Sequence, residues 1–252
     1  MQVNLPSLRM EVEVRGKGRP AVLLHGVGLD HTIWHPMMDL FESQIQFIAP
    51  DLRGQGRTEL GQADQSIEQM AEDVAALLDL LGLEKVILGG HSMGGYVALA
   101  FAEKHADRLA GLAMIATNAG KDAAEKQVQR RQDAESIMKF GSARLADSLS
   151  PKLSKDAEIQ SVTHQMISGT SAQGLANAQI AIANRPERLQ VLQDLGCPLL
   201  VVAGAEDMII PLVASRAMAD VNANAKLVVI PDVGHMPMME APDTLGALLL
   251  AL

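Results

Sequence analysis

The chain has 252 residues, 48% of them apolar, enough to bury the core of one large α/β domain or two small ones. Its net charge of −9 and the lack of any Lys/Arg block argue against nucleic acid or an anionic membrane as the main partner, and favour small molecules. With Cys197 as the only cysteine no internal disulfide can form; with no apolar leader and no run of the ~18 apolar residues a membrane span needs, the expectation is a cytoplasmic protein.

Near the N-terminus, Val12 and Val14 alternate with Glu11, Glu13 and Arg15, the pattern of an edge strand. "RPAVLLHG" (19–26) is a short apolar run opened by Pro20 and closed by Gly26, which predicts a fully buried strand. "IQFIAPDLRGQG" (45–56) predicts another short strand running into a Gly-rich turn. From Ser66 the period changes: Ile67, Met70, Ala71, Val74, Leu77, Leu78 and Leu81 recur at helical spacing. Ser66 suits the N-cap and Gly82 the C-terminal stop of that helix.

"KVILGG" (85–90) predicts a strand, 93–106 a helix and "LAGLAMIAT" (109–117) a strand. Residues 118–187 then turn polar, with no convincing strand, and break into four helical pieces at Gly141, Ser150-Pro151 and Gly169. Alternation resumes with strands at 198–204 and 226–231 and helices at 211–221 and 242–252. Strands alternating with amphipathic helices imply a mostly parallel sheet covered on both faces. The expected organisation is therefore a core of 1–117 and 188–252, interrupted by a helical insertion at 118–187. In such sheets ligands bind at the carboxyl ends of the strands, where this chain places His25-Gly26, Asp51, Ser92, Asp207 and His235.

"LGGHSMGGYVAL" (88–99) crowds four glycines around Ser92, between a strand and a helix. Gly90-His91-Ser92-Met93-Gly94 fits G-x-S-x-G, in which a sharp, strained turn lifts the serine hydroxyl above the sheet and neighbouring side chains would collide. A serine hydroxyl is a poor nucleophile until a base takes its proton, and that base must be oriented by a third group. Asp207 in "VVAGAEDMIIP" and His235 in "VVIPDVGHMP" supply both, in the order Ser, Asp, His; Glu206 is the other carboxylate available by composition. Donors for a developing oxyanion are expected from the backbone N–H of Met93 and of Val27, the latter in the loop "LLHGVG" (23–28).

His25 and His91 flank this chemistry without an evident proton-transfer task and are read as structural hydrogen-bonding groups. Asp51 and Arg53 are expected to hold the Gly-rich turn, and Cys197 to pack as a small apolar side chain. Trp34 is a candidate pocket wall or an anchor for the helical insertion, and Met236 a candidate for pocket lining or plain core. No HExxH or CxxC pattern points to a metal, so no metal or other cofactor is expected. His31 and His35, four apart beside Asp30, mimic metal spacing, but on one short loop without a third strong ligand they are read as solvated or capping.

Taken together, "HGVG" (25–28), "DLRGQGRT" (51–58), "GHSMGG" (90–95), "GAEDMIIP" (204–211) and "GH" (234–235) resemble the α/β-hydrolase superfamily along nearly the whole catalytic core. The resemblance implies a sheet of about eight mostly parallel strands, with 118–187 as a helical cap over the site. Serine at position 92 separates this chain from the dehalogenases and epoxide hydrolases of that superfamily, which carry Asp there. The expected activity is hydrolysis of small carboxylic esters through an acyl-enzyme on Ser92, with His235 as base and Asp207 as orienting acid.

Residues 166–189 also resemble the end of the cap in two relatives, broad carboxylesterases and 3-oxoadipate enol-lactonases; the dicarboxylate lactone of the latter would want a fixed cation from among Arg130, Arg131, Arg144 and Arg185. The same triad serves perhydrolases and C–C bond hydrolases, though "HGVGLD" lacks the Gly-rich stretch with proline usual in the latter. An acyltransferase, or a ligand-binding receptor on the same fold, are the remaining readings.

Overall fold

Alternation along each strand decides which of two cores a side chain enters. In the structure, a computed structural model describing residues 1–252, Val22, Leu24, Leu88, Leu112 and Val201 point into one apolar cluster. Their neighbours Leu23, Ile87, Ala113 and Val202 point into the other. A sheet apolar on both faces has to be covered on both.

The strands are β1 (Gln2–Asn4), β2 (Arg9–Gly16), β3 (Arg19–Leu24), β4 (Ile45–Pro50), β5 (Val86–His91), β6 (Leu109–Ile115), β7 (Leu199–Gly204) and β8 (Ala225–Ile230). They form one sheet in the order β1-β2-β4-β3-β5-β6-β7-β8. β1 pairs antiparallel with β2, and β2 with β4; every other pairing is parallel. From β3 the chain moves first toward β4 and later to β5 on the other side, so the strand order switches between β3 and β5. The crevice beyond the carboxyl ends at such a switch is where open α/β sheets hold ligands.

A 3-10 turn at His31–Trp34 leads into α1 (His35–Phe41); α2 (Ile67–Leu80) and α3 (Met93–His105) follow. Ser66 caps α2 by accepting the Gln69 amide, and Gly82, at φ +65°, ends it. Between β6 and β7 lie α4 (Ala124–Phe140), α5 (Ala143–Leu153), α6 (Ala157–Gly169) and α7 (Ala172–Asn184), then the short α8 (Leu189–Gln193). α4 packs on α7, and α5 on α6. The chain closes with α9 (Leu212–Asp220), α10 (Pro237–Glu240) and α11 (Pro242–Leu250). Met37 and Met38 of α1 join Leu245 and Leu249 of α11 in one core; α2 and α3 build the other. No helix is long and apolar enough to cross a membrane.

The structure departs from the sequence reading in the polar stretch. α5 runs through Ser150-Pro151 to Leu153. Pro151 stands in the last turn, where its missing N–H deprives only one carbonyl of a partner. The break falls instead at Ser154, before Asp156 caps α6 by accepting the Glu158 and Ile159 amides at 2.8 and 3.1 Å. The segment holding His31 and His35 is a helical start, not a loop.

Candidate active site

β5 ends at His91 and α3 begins at Met93, so Ser92 alone makes the turn. Its backbone sits at φ 52°, ψ −115°, a conformation that costs a non-glycine residue on the order of 1–3 kcal/mol. The surroundings hold it there: the Ser92 amide donates to the Ile115 carbonyl at 3.1 Å, and the Thr117 hydroxyl donates to the Ser92 carbonyl at 2.7 Å. The glycines follow from the same closeness. A Cβ on Gly90 would strike the backbone of Gly94 and Gly95, and one on Gly94 the carbonyls of Leu24 and His25.

Asp207 lies just beyond β7 and His235 just beyond β8, and both side chains are almost wholly buried. The His235 ring donates from Nδ1 to Asp207 Oδ2 at 2.8 Å. The other carboxylate oxygen accepts the Ile209 and Ile210 amides at 2.8 and 3.0 Å. Glu206 turns away to pair with Lys155 at 2.6 Å. The backbone of His235 is pinned twice: its amide donates to the Leu153 carbonyl at 2.9 Å, and its carbonyl accepts His91 Nε2–H at 2.9 Å.

Ser92 and His235 both border a cavity of about 610 Å³. The Ser92 hydroxyl makes no hydrogen bond in this conformation, with His235 or any other group. Such contacts are commonly loose before substrate binds. Val27 and Met93 border the same cavity. The Val27 amide donates to no protein group, and Met93 opens α3, so its amide has no partner within the helix. His25 donates from Nδ1 to the Gly26 carbonyl and accepts the Leu52 amide on Nε2, both at 2.8 Å, fixing the loop that carries Val27.

Trp34 and Met236 are absent from the cavity wall; both are fully buried in the core against α1 and α11. The wall is completed by residues the sequence did not single out: Tyr96, Asn118, Leu149, Lys152, Met208 and Ile209. Of the four arginines considered, only Arg130 borders the cavity. It pairs with Asp122 and donates to Gln179 at 3.0 Å. Arg185 also pairs with Asp122, at 2.8 Å, and lies over the Tyr96 ring. Burial raises the Asp122 carboxyl, but the Arg185 hydrogen bond and the Arg130 charge together bring it below its ordinary value. Asp51 accepts the Arg57 amide, and Arg53 grips Asp73 and the Leu60 carbonyl, so this pair holds the Gly-rich turn. Cys197 is half-buried against the core, and burial pushes its thiol up, away from reactivity.

Burial holds the His91 imidazole well below its ordinary value, helped by the His235 ring 4.8 Å away. Burial lowers His25 in the same direction. Burial makes both rings harder to protonate in the folded protein than in the unfolded chain, which takes up protons below about pH 6.5, so their contribution to stability is present above that pH and lost as pH falls. The expected result is that His91→Gln reduces the slope of unfolding free energy between pH 6.5 and 5, by up to about 1.4 kcal/mol per pH unit, the limit of one proton. Urea denaturation at four pH values checks it; equal slopes for both proteins would refute the assignment.

A family model described as the alpha/beta hydrolase family matches residues 21–248. A thermophilic esterase from Thermogutta terrifontis, solved with malate bound, is 36% identical, with a TM-score of 0.95 over 99% of this chain and 96% of its own. 3-Oxoadipate enol-lactonase 1 of Acinetobacter baylyi is 29% identical over 96% of this chain and 92% of its own length. The enol-lactonase of Burkholderia xenovorans LB400, at 24% identity, shares the fold, with a TM-score of 0.91 over 100% of this chain and 98% of its own.

Proposed function

The chain belongs to the alpha/beta hydrolase family, and from that footing we propose that it hydrolyses small carboxylic esters through an acyl-enzyme on Ser92. One observation carries the reading: a serine on a strained turn shares a cavity with a histidine whose far nitrogen is held by a buried carboxylate. In this reading His235 takes the Ser92 proton as Oγ attacks the ester carbonyl. The oxyanion is received by the amides of Val27 and Met93, with the N-terminal end of α3 adding its partial positive charge. His235 then protonates the departing alcohol, and water repeats the sequence on the acyl group. Asp207 keeps the imidazole in the tautomer that leaves Nε2 free to accept.

The cavity wall favours a second reading, an ester or lactone whose acyl part carries a carboxylate. Lys126, Arg130 and Lys152 border the cavity against Asp122 and Asp133, leaving one formal positive charge in excess among these five. The Thermogutta esterase holds malate, and the Acinetobacter relative bears an enol-lactonase name, which fits such a preference.

One steady-state series tests both. p-Nitrophenyl esters from acetyl to dodecanoyl are expected to turn over, with kcat/KM at least about tenfold lower at the long end, because a long apolar chain would have to lie against the charged wall of Asp122, Lys126, Arg130, Asp133 and Lys152. Mono-p-nitrophenyl glutarate should exceed p-nitrophenyl valerate in kcat/KM if the cationic wall selects the acyl part; equality would leave the plain esterase. No turnover of any ester would overturn the proposal.

A further inference from the structure

Three side chains outside the cavity wall meet between β2 and the start of α1. His35 Nε2 lies 2.6 Å from Glu13 Oε2, and His31 Nε2 lies 3.4 Å from the same oxygen. One ligand atom from each of the three falls within 4.8 Å of the other two. The third strong ligand, which the sequence around His31 and His35 lacks, arrives from a strand eighteen or more positions earlier in the chain.

The hydrogens decide what this cluster is. Asp51, fully buried after the end of β4, accepts the His31 amide at 2.8 Å and faces His31 Nδ1 at 2.7 Å. A carboxylate can only accept, so Nδ1 carries the hydrogen. Without a proton on Nε2, His31 turns a lone pair toward a carboxylate oxygen, and two acceptors face each other across 3.4 Å. A cation between them makes that contact favourable: a proton, which the hydrogen bond to Asp51 favours, or a metal ion. No lysine or arginine supplies it: Glu13 has only the two histidines as partners, and nearby Arg15 is engaged by Asp39 and Glu42.

We propose that Glu13, His31 and His35 form a binding site for a divalent transition-metal ion, with zinc as the ion the donor set suits. Two imidazole nitrogens and one carboxylate, with water as a fourth ligand, make a zinc site of ordinary composition. Bonds of about 2.0–2.1 Å in a tetrahedron need donor separations of roughly 3.3 Å, so the present arrangement closes on an ion with small side-chain shifts. Asp51 acts as the outer carboxylate that sets the tautomer and orientation of a metal-bound histidine. The side chains of His31, Glu13 and His35 are 12%, 25% and 39% exposed, which leaves a path for the ion and room for the water. Such an ion would tie β2 to the segment that follows the Val27 loop, so its role is structural and independent of the ester reading.

The test is calorimetric titration of untagged, chelator-treated full-length protein with zinc chloride. One zinc per chain is expected, with the thermal midpoint raised by about 5–10 °C at a hundredfold excess over Kd. His35→Asn, at the most exposed ligand, and Glu13→Gln should each weaken binding by about tenfold or more, with folding checked by circular dichroism. Cobalt(II) bound in place of zinc should show the visible absorption of a four-coordinate site, and lose it in either variant. Absence of saturable binding, or binding unchanged in both variants, would overturn the proposal and leave a proton as the cation between His31 and Glu13.

Discussion

Ser92→Ala is expected to lower kcat for p-nitrophenyl acetate by about 10⁵–10⁶-fold, the loss typical of removing the nucleophile from a cooperating set. The variant should fold normally. The Ser92 hydroxyl makes no hydrogen bond to the protein, and the bonds that hold the turn run through its amide and carbonyl, which alanine keeps. Alanine also inherits the backbone at φ 52° without adding strain. Activity and thermal midpoint measured on the same preparation separate the outcomes. A midpoint within about 2 °C alongside lost turnover would support Ser92 as the attacking group. Turnover above a tenth of the parent's would remove it from that role.

Asp207→Asn is expected to cost about 10⁴-fold in kcat with little structural change, and the geometry gives the reason. Two backbone amides, from Ile209 and Ile210, donate to one oxygen of Asp207. An asparagine must keep its carbonyl toward them, which turns its NH₂ group toward His235. That group can only donate, so it demands a lone pair on Nδ1 and drives the hydrogen to Nε2, where the proton from Ser92 was to go. Glu206→Gln provides the contrast: its carboxylate faces Lys155, and activity should stay within about twofold. Steady-state kinetics of the two variants side by side decide between the adjacent carboxylates. Comparable losses in both would refute the assignment of Asp207.

Much of this was written locally in the chain. Apolar runs of strand length and the helical spacing between Ser66 and Gly82 reproduce β3 to β8 and α2 to within a few residues, because burial on both faces of a parallel sheet leaves a continuous signal. That Ser92, Asp207 and His235 lie near one another could be anticipated for a related reason: each follows a parallel strand, and the carboxyl ends of those strands share one edge of the sheet. The misplaced features depend on tertiary contact. Trp34 follows the Val27 loop so closely in sequence that it reads as a neighbour of the cavity, yet the chain turns into a 3-10 helix and carries the indole into the core. Met236 adjoins His235 but is fully buried in the core and does not reach the cavity. The wall residues of α4 and α5 gave no pattern, since α4 buries only Ala134 and Ile137 over its whole length. Glu13 could not be linked to His31 and His35 from sequence, because β2 reaches them only through its pairing with β4.

The hydrogen bond from the His235 amide to the Leu153 carbonyl bears on how this protein can be recombined. It joins the end of α5 to the loop of the proposed base, so the helices between β6 and β7 are not an interchangeable attachment. A chimaera that imports those helices from another hydrolase must also import an acceptor at the position of the Leu153 carbonyl, or the imidazole loses one of its two backbone anchors. A seam after Leu153 would keep this anchor but part α5 from α6 and α4 from α7, so the four helices exchange best as one unit that preserves the Leu153 acceptor.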